Sequence, residues 1–311
     1  MAVNLKGRSL ATVADFTKEE IWQIFETTRD LKRRQKMGEQ HEILKGKQLA
    51  MVFQKPSTRT RVSFEVGISQ LGGHGLYLGA NDLQLARGET IEDTARVLGR
   101  YVDCIMARVF DHKHILALIE HSGVPVINGL SNDFHPCQAL TDIFTVWEKK
   151  GSLEGLKFAF VGDGDNNVTN SLMLACAVLG IGFSVGSPKK YQPRKEVYKE
   201  AKNLASKSGA KIEILIDPLK AIKKADIIVT DVWVSMGRED REERLKAFKA
   251  YQVNEKLLKK AKKNVLVMHC LPAHRGEEIT DQVVDGPHSI VFDEAENRLH
   301  VQKALMALMV R

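Results

Sequence analysis

A chain of 311 residues, 43% hydrophobic and 27% charged, is long enough for two packed cores, and its composition excludes a disordered or fibrous protein. The net charge of +7 is spread through helix-like segments such as Lys32-Arg33-Arg34 and Lys259-Lys260; with no zinc-ligand spacing and no aromatic RNA-binding signature, nucleic acid is not an expected partner. The cysteines Cys104, Cys137, Cys176 and Cys270 lie far apart without a CxxC, which argues against a disulfide framework or metal knuckle. Neither a signal peptide over Met1 to Ala14 nor an apolar run of about 18 residues is present, so no membrane is expected either.

In chain order, Thr17 and Glu20 form a capping-box pattern, after which Ile21, Ile24, Phe25 and Leu31 fall on one helical face. Strand-like runs follow at Gln48–Phe53, Gly75–Leu78, Asp103–Val109 and Pro125–Asn128, with helical stretches such as Ser57–Leu71 and Thr90–Arg100 between them. A helix over His135–Lys150 ends in Lys-Lys-Gly, where the domain boundary is placed. A second alternating series has strand candidates at Lys157–Val161, Gly182–Val185, Lys211–Ile216, Asp226–Thr230, Asn264–His269 and Ser289–Phe292, and a last helix runs over Glu294–Val310. The pattern predicts an α/β protein of two domains, each a parallel sheet flanked by helices: residues 1–150, residues 151–293, and a C-terminal helix, 294–311, packing back on the first domain. In open parallel sheets ligands bind beyond the carboxyl ends of the strands, so the residues that follow each strand are the candidates for function.

After Gln48–Phe53 comes Gln54-Lys55-Pro56 and then Ser57-Thr58-Arg59-Thr60-Arg61. Ser57 or Thr58 caps the next helix, whose free N–H groups and positive dipole end favour an anion. Arg59 adds a forked donor suited to phosphate oxygens. A capped helix with surface arginines is the plain alternative.

The run Ser57-Thr58-Arg59-Thr60-Arg61, continuing to Ser63-Phe64-Glu65, resembles the carbamoyl-phosphate motif of the aspartate and ornithine carbamoyltransferases. The resemblance extends along nearly the whole chain. Gln84-Leu85-Ala86-Arg87-Gly88-Glu89-Thr90 resembles a loop that reaches a neighbouring subunit's site, Asp103–Arg108 a strand ending in a carbamoyl-phosphate-binding arginine, and His135-Pro136-Cys137-Gln138 the HPxQ element. It implies that Ser57, Thr58 and Arg59 hold the phosphate, with Arg108 reaching both ends of the molecule. Thr60, Arg108 and His135 are donors to the carbonyl oxygen, where charge develops when an amine attacks. Gln138, and the carbonyls of Cys270 and Leu271, accept from the carbamoyl NH2; Gln84 and Arg298 also contact carbamoyl phosphate. Taken alone, His135 reads as a helix-cap histidine before a Pro at the first helical position, and Arg298 as a first-turn surface arginine. Arg87 is given no catalytic role.

Two features bear on the acceptor. Asp231, at the end of Asp226–Thr230, is followed by Val232-Trp233-Val234-Ser235-Met236-Gly237, and Met268-His269-Cys270-Leu271-Pro272 ends the strand Asn264–His269. An isolated Asp in that place reads as a loop cap, and a free Cys as a small buried hydrophobe. The first segment resembles the ornithine loop of the family, which implies that Asp231 contacts the amines while Ser235 and Met236 enclose the substrate; the second matches the HCLP signature, in which Cys270 argues for ornithine over aspartate. Ornithine's side-chain amine, with a pKa of about 10.4 by analogy with Lys, must lose a proton before it attacks. A titratable thiol beside Asp231 can orient that amine or share in the proton loss.

Gly162-Asp163-Gly164-Asp165-Asn166-Asn167 follows Lys157–Val161 but lacks GxGxxG, because Asn167 stands where the third Gly belongs, so a dinucleotide is not expected. It resembles the family's GDxNN loop, and Asn167 is taken as the contact to the ornithine backbone groups, with Asn166 the alternative register. The resemblance implies a cytoplasmic enzyme of arginine biosynthesis with two small-molecule substrates, carbamoyl phosphate and L-ornithine. It implies no metal, no organic cofactor, and assembly as a homotrimer or a multiple of trimers.

Overall fold

The computed structural model describes residues 3–234 and 240–310. In chain order these hold α1 (Lys18–Lys36), β1 (Gln48–Phe53), α2 (Thr58–Gln70), β2 (His74–Gly79), α3 (Ile91–Leu98), β3 (Cys104–Arg108), α4 (His112–Ser122), β4 (Val126–Leu130) and α5 (Pro136–Lys150). There follow β5 (Lys157–Val161), α6 (Asn167–Leu179), β6 (Gly182–Gly186), α7 (Lys195–Ser208), β7 (Ile212–Leu215), α8 (Pro218–Ile222), β8 (Ile227–Thr230) and α9 (Arg241–Phe248). The chain ends with α10 (Glu255–Leu258), β9 (Leu266–His269), α11 (Asp281–Val284) and α12 (Val291–Met309). It divides into two compact units, Met1–Phe144 with Glu296–Arg311, and Thr145–Ala295.

The first unit carries a parallel sheet in the order β2-β1-β3-β4. β3 is buried along its whole length, which fits its apolar run Cys104–Ala107 before Arg108, whereas the edge strand β2 is partly exposed. Ala50, Val52, Ile105, Ala107, Ile115, Leu118 and Val126 pack together on one face. The expected capping box closes α1: Glu20 N–H donates to Thr17 Oγ1 at 3.3 Å, and Thr17 N–H donates back to Glu20 Oε2 at 2.8 Å. The C-terminal residues belong to this unit: Lys32 Nζ donates to Asn297 Oδ1 at 2.7 Å, and Gly7 N–H to the Met309 carbonyl at 2.8 Å. Gly67 lets α12 approach α2, for a Cβ there would come within 3.1 Å of Met306 Cε and 3.2 Å of Lys303 Cγ.

The second unit carries a parallel sheet in the order β7-β6-β5-β8-β9. Its core includes Val161, Ile228, Trp233, Phe248, Val267 and Val283. One expected strand is corrected here. Ser289–Phe292 is not a strand: Ser289 makes a single bridge to Val267, and α12 begins at Val291. The β-branched run Ile290-Val291 suggested extended chain. Asp293 and Glu294 instead sit in the first turn of a helix, where its dipole favours carboxylates, while Ile290 and Val291 are buried and Phe292 points outward.

In each sheet the chain reverses its direction of travel at one place. From β1 it moves to β2 on one side and then to β3 on the other; from β5 it moves to β6 and β7, then to β8 and β9. Each reversal opens a crevice at the strands' carboxyl ends, and such crevices are where open parallel sheets bind ligands.

Candidate functional site

The crevice of the first unit is bordered by the residues after β1 and the end of β3. Ser57, with extended backbone, is the N-cap of α2, and its side chain accepts from Thr60 N–H at 3.3 Å. Thr58 and Arg59 are exposed in the first turn, which contains no acidic residue, so nothing cancels the positive end of the helix dipole. Arg61 turns to Glu65 (3.2 Å) and lies 3.9 Å from the Tyr77 ring centre. Arg108 ends β3 opposite Phe53, at a register shift between Ala107 and Arg108, and is 9% exposed. Lys55, to which the sequence reading gave no role, lies 4.4 Å from the Phe110 ring centre and donates to Asn132 Oδ1. Burial, then the charge of Arg108, lowers its pKa from 10.5 to about 8.

Three sequence-distant residues join behind this crevice. Arg298 Nη1 donates to Gln138 Oε1 at 2.6 Å and its Nη2 to Thr60 Oγ1 at 3.2 Å. Gln138 Nε2 donates to Asp142 Oδ1 at 2.7 Å. All four side chains are at least nine-tenths buried. Because Thr60 Oγ1 accepts from Arg298, its own hydroxyl proton is left to donate elsewhere. His135 precedes Pro136 at the start of α5 and is 4% exposed. Burial, then the charges of Arg298 and Arg108, hold its imidazole well below 6.5, so it is a neutral ring. Gln84 stands apart, exposed on a short 3-10 turn, Gln84–Arg87.

The crevice of the second unit is bordered by the residues after β5, β8 and β9. Gly162, with φ +135°, turns the chain out of β5. Gly164 passes close to its neighbours, since a Cβ there would meet Pro193 Cδ and the Tyr191 carbonyl at 2.8 Å. Asn166 caps α6 by accepting from Thr169 N–H at 2.7 Å, and Asn167 is the half-buried first residue of that helix. Cys270 Sγ donates to Asp231 Oδ1 at 3.1 Å, and the same oxygen accepts from Val232 N–H at 2.8 Å. Leu271 has φ +56°, a left-handed conformation costing a side-chain-bearing residue about 1–3 kcal/mol. Its N–H donates to His269 Nδ1 at 2.9 Å, so His269 Nε2 carries the ring proton and donates to Glu278 Oε1 at 3.0 Å. Ser235 and Met236 lie outside the described residues.

Among the described residues, two groups of three could hold a metal ion: Asp231, His269 and Cys270, and His274, Glu277 and Glu278. In the first, both ring nitrogens of His269 are already engaged, which leaves Asp231 and Cys270 alone.

The arrangement offers a capped helix end with no acidic residue in its first turn and buried donors in one unit, and a carboxylate paired with a thiol in the other. Residues 8–148 match the family model described as the carbamoyl-P binding domain of aspartate/ornithine carbamoyltransferase, and residues 154–309 match that of its Asp/Orn binding domain. The chain belongs to the aspartate/ornithine carbamoyltransferase family. An ornithine carbamoyltransferase of Pyrococcus abyssi is 60% identical over 311 residues, covering 100% of this chain and 98% of that one. The structure of ornithine carbamoyltransferase from Pyrococcus furiosus matches with a TM-score of 0.96 at 58% identity over 99% of both chains. A mitochondrial ornithine carbamoyltransferase from Coccidioides immitis matches with a TM-score of 0.90 at 37% identity over 98% of both. The family's second model runs to residue 309, whereas compactness assigns Glu296–Arg311 to the first unit; sequence continuity and packing divide α12 differently.

The first crevice of this carbamoyltransferase brings Ser57, Thr58, Arg59 and Thr60 together on α2 and links Thr60, Gln138 and Arg298 by hydrogen bonds. The second links Asp231 to Cys270. His269 and Glu278 stand in the run Met268–Glu278 without an expected role; in the structure they pair while buried, and His269 accepts from Leu271 N–H.

Proposed function

We propose that the chain transfers the carbamoyl group of carbamoyl phosphate to the side-chain amine of L-ornithine, giving L-citrulline and phosphate. The observation that carries the acceptor is the Cys270 thiol donating to the Asp231 carboxylate at 3.1 Å. A fixed negative charge suits an ammonium group and repels the second carboxylate of aspartate.

In the first unit, Ser57, Thr58 and Arg59 hold the phosphate at the start of α2, with Arg108 at its side. Thr60, Arg108 and neutral His135 donate to the carbonyl oxygen as it gains negative charge. Gln138 orients the carbamoyl NH2. In the second unit, Asp231 and Cys270 take the ornithine amine and assist loss of its proton, and Asn167 binds the backbone end of the amino acid, since the Asn166 carbonyl oxygen is committed to capping α6. The neutral amine attacks the carbamoyl carbon, the bond from that carbon to the phosphate oxygen breaks, and phosphate leaves with a proton.

The proposal includes a homotrimer or a multiple of trimers to which Gln84 contributes across a subunit face, and a cytoplasmic location. Exposed apolar side chains on the first unit, Val62, Val66 and Leu76, fit a covered face. No helix among the described residues is long and apolar enough to cross a membrane.

Purified protein is supplied with carbamoyl phosphate and, side by side, ornithine, putrescine or aspartate. Ureido product from ornithine alone is the expected result. Preference for another amine, or no binding of carbamoyl phosphate by calorimetry, overturns the reading.

A further inference from the structure

The acceptor side of the second unit depends on a buried cation that touches none of the groups assigned above. Arg244, on α9, is 2% exposed. Its Nη2 donates to Asp163 Oδ2, its Nε to the Trp233 carbonyl, and its Nη1 lies 3.6 Å from Asp240 Oδ2. Tyr191 and Phe248 cover the guanidinium, with ring centres 4.8 and 5.3 Å from its central carbon.

The two principal partners lie on the two segments that border the crevice. Trp233 is two residues beyond Asp231. Asp163 opens the turn that leads to Asn166 and Asn167; its other oxygen accepts from Asp165 N–H at 3.1 Å, and its carbonyl accepts from Thr169 Oγ1 at 3.0 Å within α6. One rigid, planar donor thus fastens the segment carrying Asp231 to the turn carrying the asparagines. A guanidinium performs this task because its donors point in fixed directions in one plane, which an ammonium cannot reproduce. An apolar pair would fill the same space without fixing the two segments in register, and a buried ion pair is often no more stabilising than such a replacement.

We propose that Arg244 is a positioning residue for the acceptor amino acid: through Asp163 and the Trp233 carbonyl it sets the spacing between Asp231, the carboxylate that takes the side-chain amine, and Asn167, which takes the backbone groups. The inference rests on the ornithine reading above. The spacing discriminates acceptors by length, since Asp231 and Asn167 engage opposite ends of one molecule. Arg244 never touches the substrate.

The test uses the full-length protein and the variants Arg244→Lys, Arg244→Met and Asp163→Asn. Steady-state KM and kcat for ornithine are measured, with the Kd for carbamoyl phosphate by calorimetry and the melting temperature alongside. Misplacement of a binding group by about 1 Å is expected to lower kcat/KM for ornithine by about 100-fold in Arg244→Met, chiefly through KM. The Kd for carbamoyl phosphate stays within about twofold, because its proposed site lies in the other unit, and Arg244→Lys recovers part of the loss. A purely structural pair predicts a different pattern: lower melting temperature, fewer active molecules and an unchanged ornithine KM. That pattern in the folded variants overturns the proposal. If Arg244→Met does not fold, Arg244→Lys and Asp163→Asn decide, and a wild-type ornithine KM in both overturns it equally. Absence of citrulline from the wild-type protein would instead sink the functional reading.

Discussion

Arg298 Nη1 donates to Gln138 Oε1 at 2.6 Å, joining residues 160 positions apart, while its Nη2 donates to Thr60 at 3.2 Å. The C-terminal helix therefore sets two polar side chains of the first unit, both proposed for the carbamoyl-phosphate end.

Arg298→Met leaves buried oxygens of Gln138 and Thr60 without their donor, at a cost of about 1–3 kcal/mol for each group. The expected result is a carbamoyl phosphate Kd raised at least about tenfold, with a lower melting temperature. Calorimetry and thermal unfolding check both. An unchanged Kd would remove Arg298 from the site.

His135 is expected to work as a neutral donor. Since its folded pKa is well below 6.5, kcat should show no limb from this ring near pH 6.5. Its contribution to stability has a definite sign: below 6.5 the unfolded chain takes a proton that the folded ring refuses, so stability is whole above 6.5 and declines as pH falls. Replacing His135 by Ala, which removes the donor, should cost about 100- to 1000-fold in kcat, as for the loss of one oxyanion donor. NMR titration of the His135 ring tests the first point, and a midpoint near 6.5 would contradict it.

The Cys270–Asp231 contact separates two roles. Asp231→Asn should lower kcat/KM for ornithine by about 30-fold to several thousandfold, the range for removing one partner of a buried charged pair. Cys270→Ser keeps a donor to the carboxylate and should retain more activity than Cys270→Ala. Steady-state assays that find the serine and alanine variants equal would show that the hydrogen bond is not what the thiol supplies.

Lys303 is a buried cation whose Nζ faces three side chains, none of them a carboxylate: Gln35 Oε1 (3.0 Å), Gln70 Oε1 (2.9 Å) and His41 Nε2 (2.6 Å). Burial lowers its pKa from 10.5 to about 8. Between those values the unfolded chain holds a proton that the folded chain has released, so folding stability should rise with pH across that window. Lys303→Met should remove its share of the rise and leave that of Lys55, whose pKa is lowered over the same range. Chemical denaturation at several alkaline pH values measures it, and equal slopes for both proteins would refute the assignment.

Periodicity in the sequence determined the alternation of strands and helices, and the short motifs at strand ends determined which residues were candidates. Both are local: a buried parallel strand is a continuous apolar run, and an anion-binding helix end needs only its cap and first turn. Ser57 was legible as a helix cap for that reason, whereas Asp231 and Cys270, which read alone as a loop cap and a small buried hydrophobe, were singled out by the family resemblance. The short run at Ser289–Phe292 misled because β-branched residues suit a strand and a buried helix start equally well, and only the place of Ile290 and Val291 in the core decides between them. Tertiary structure alone decided that Arg298 meets Thr60 and Gln138, that Arg244 meets Asp163, and that His135 is neutral. Hydrogen bonds across many tens of residues leave no periodic trace, and a pKa depends on the burial and charges that folding gathers around the group.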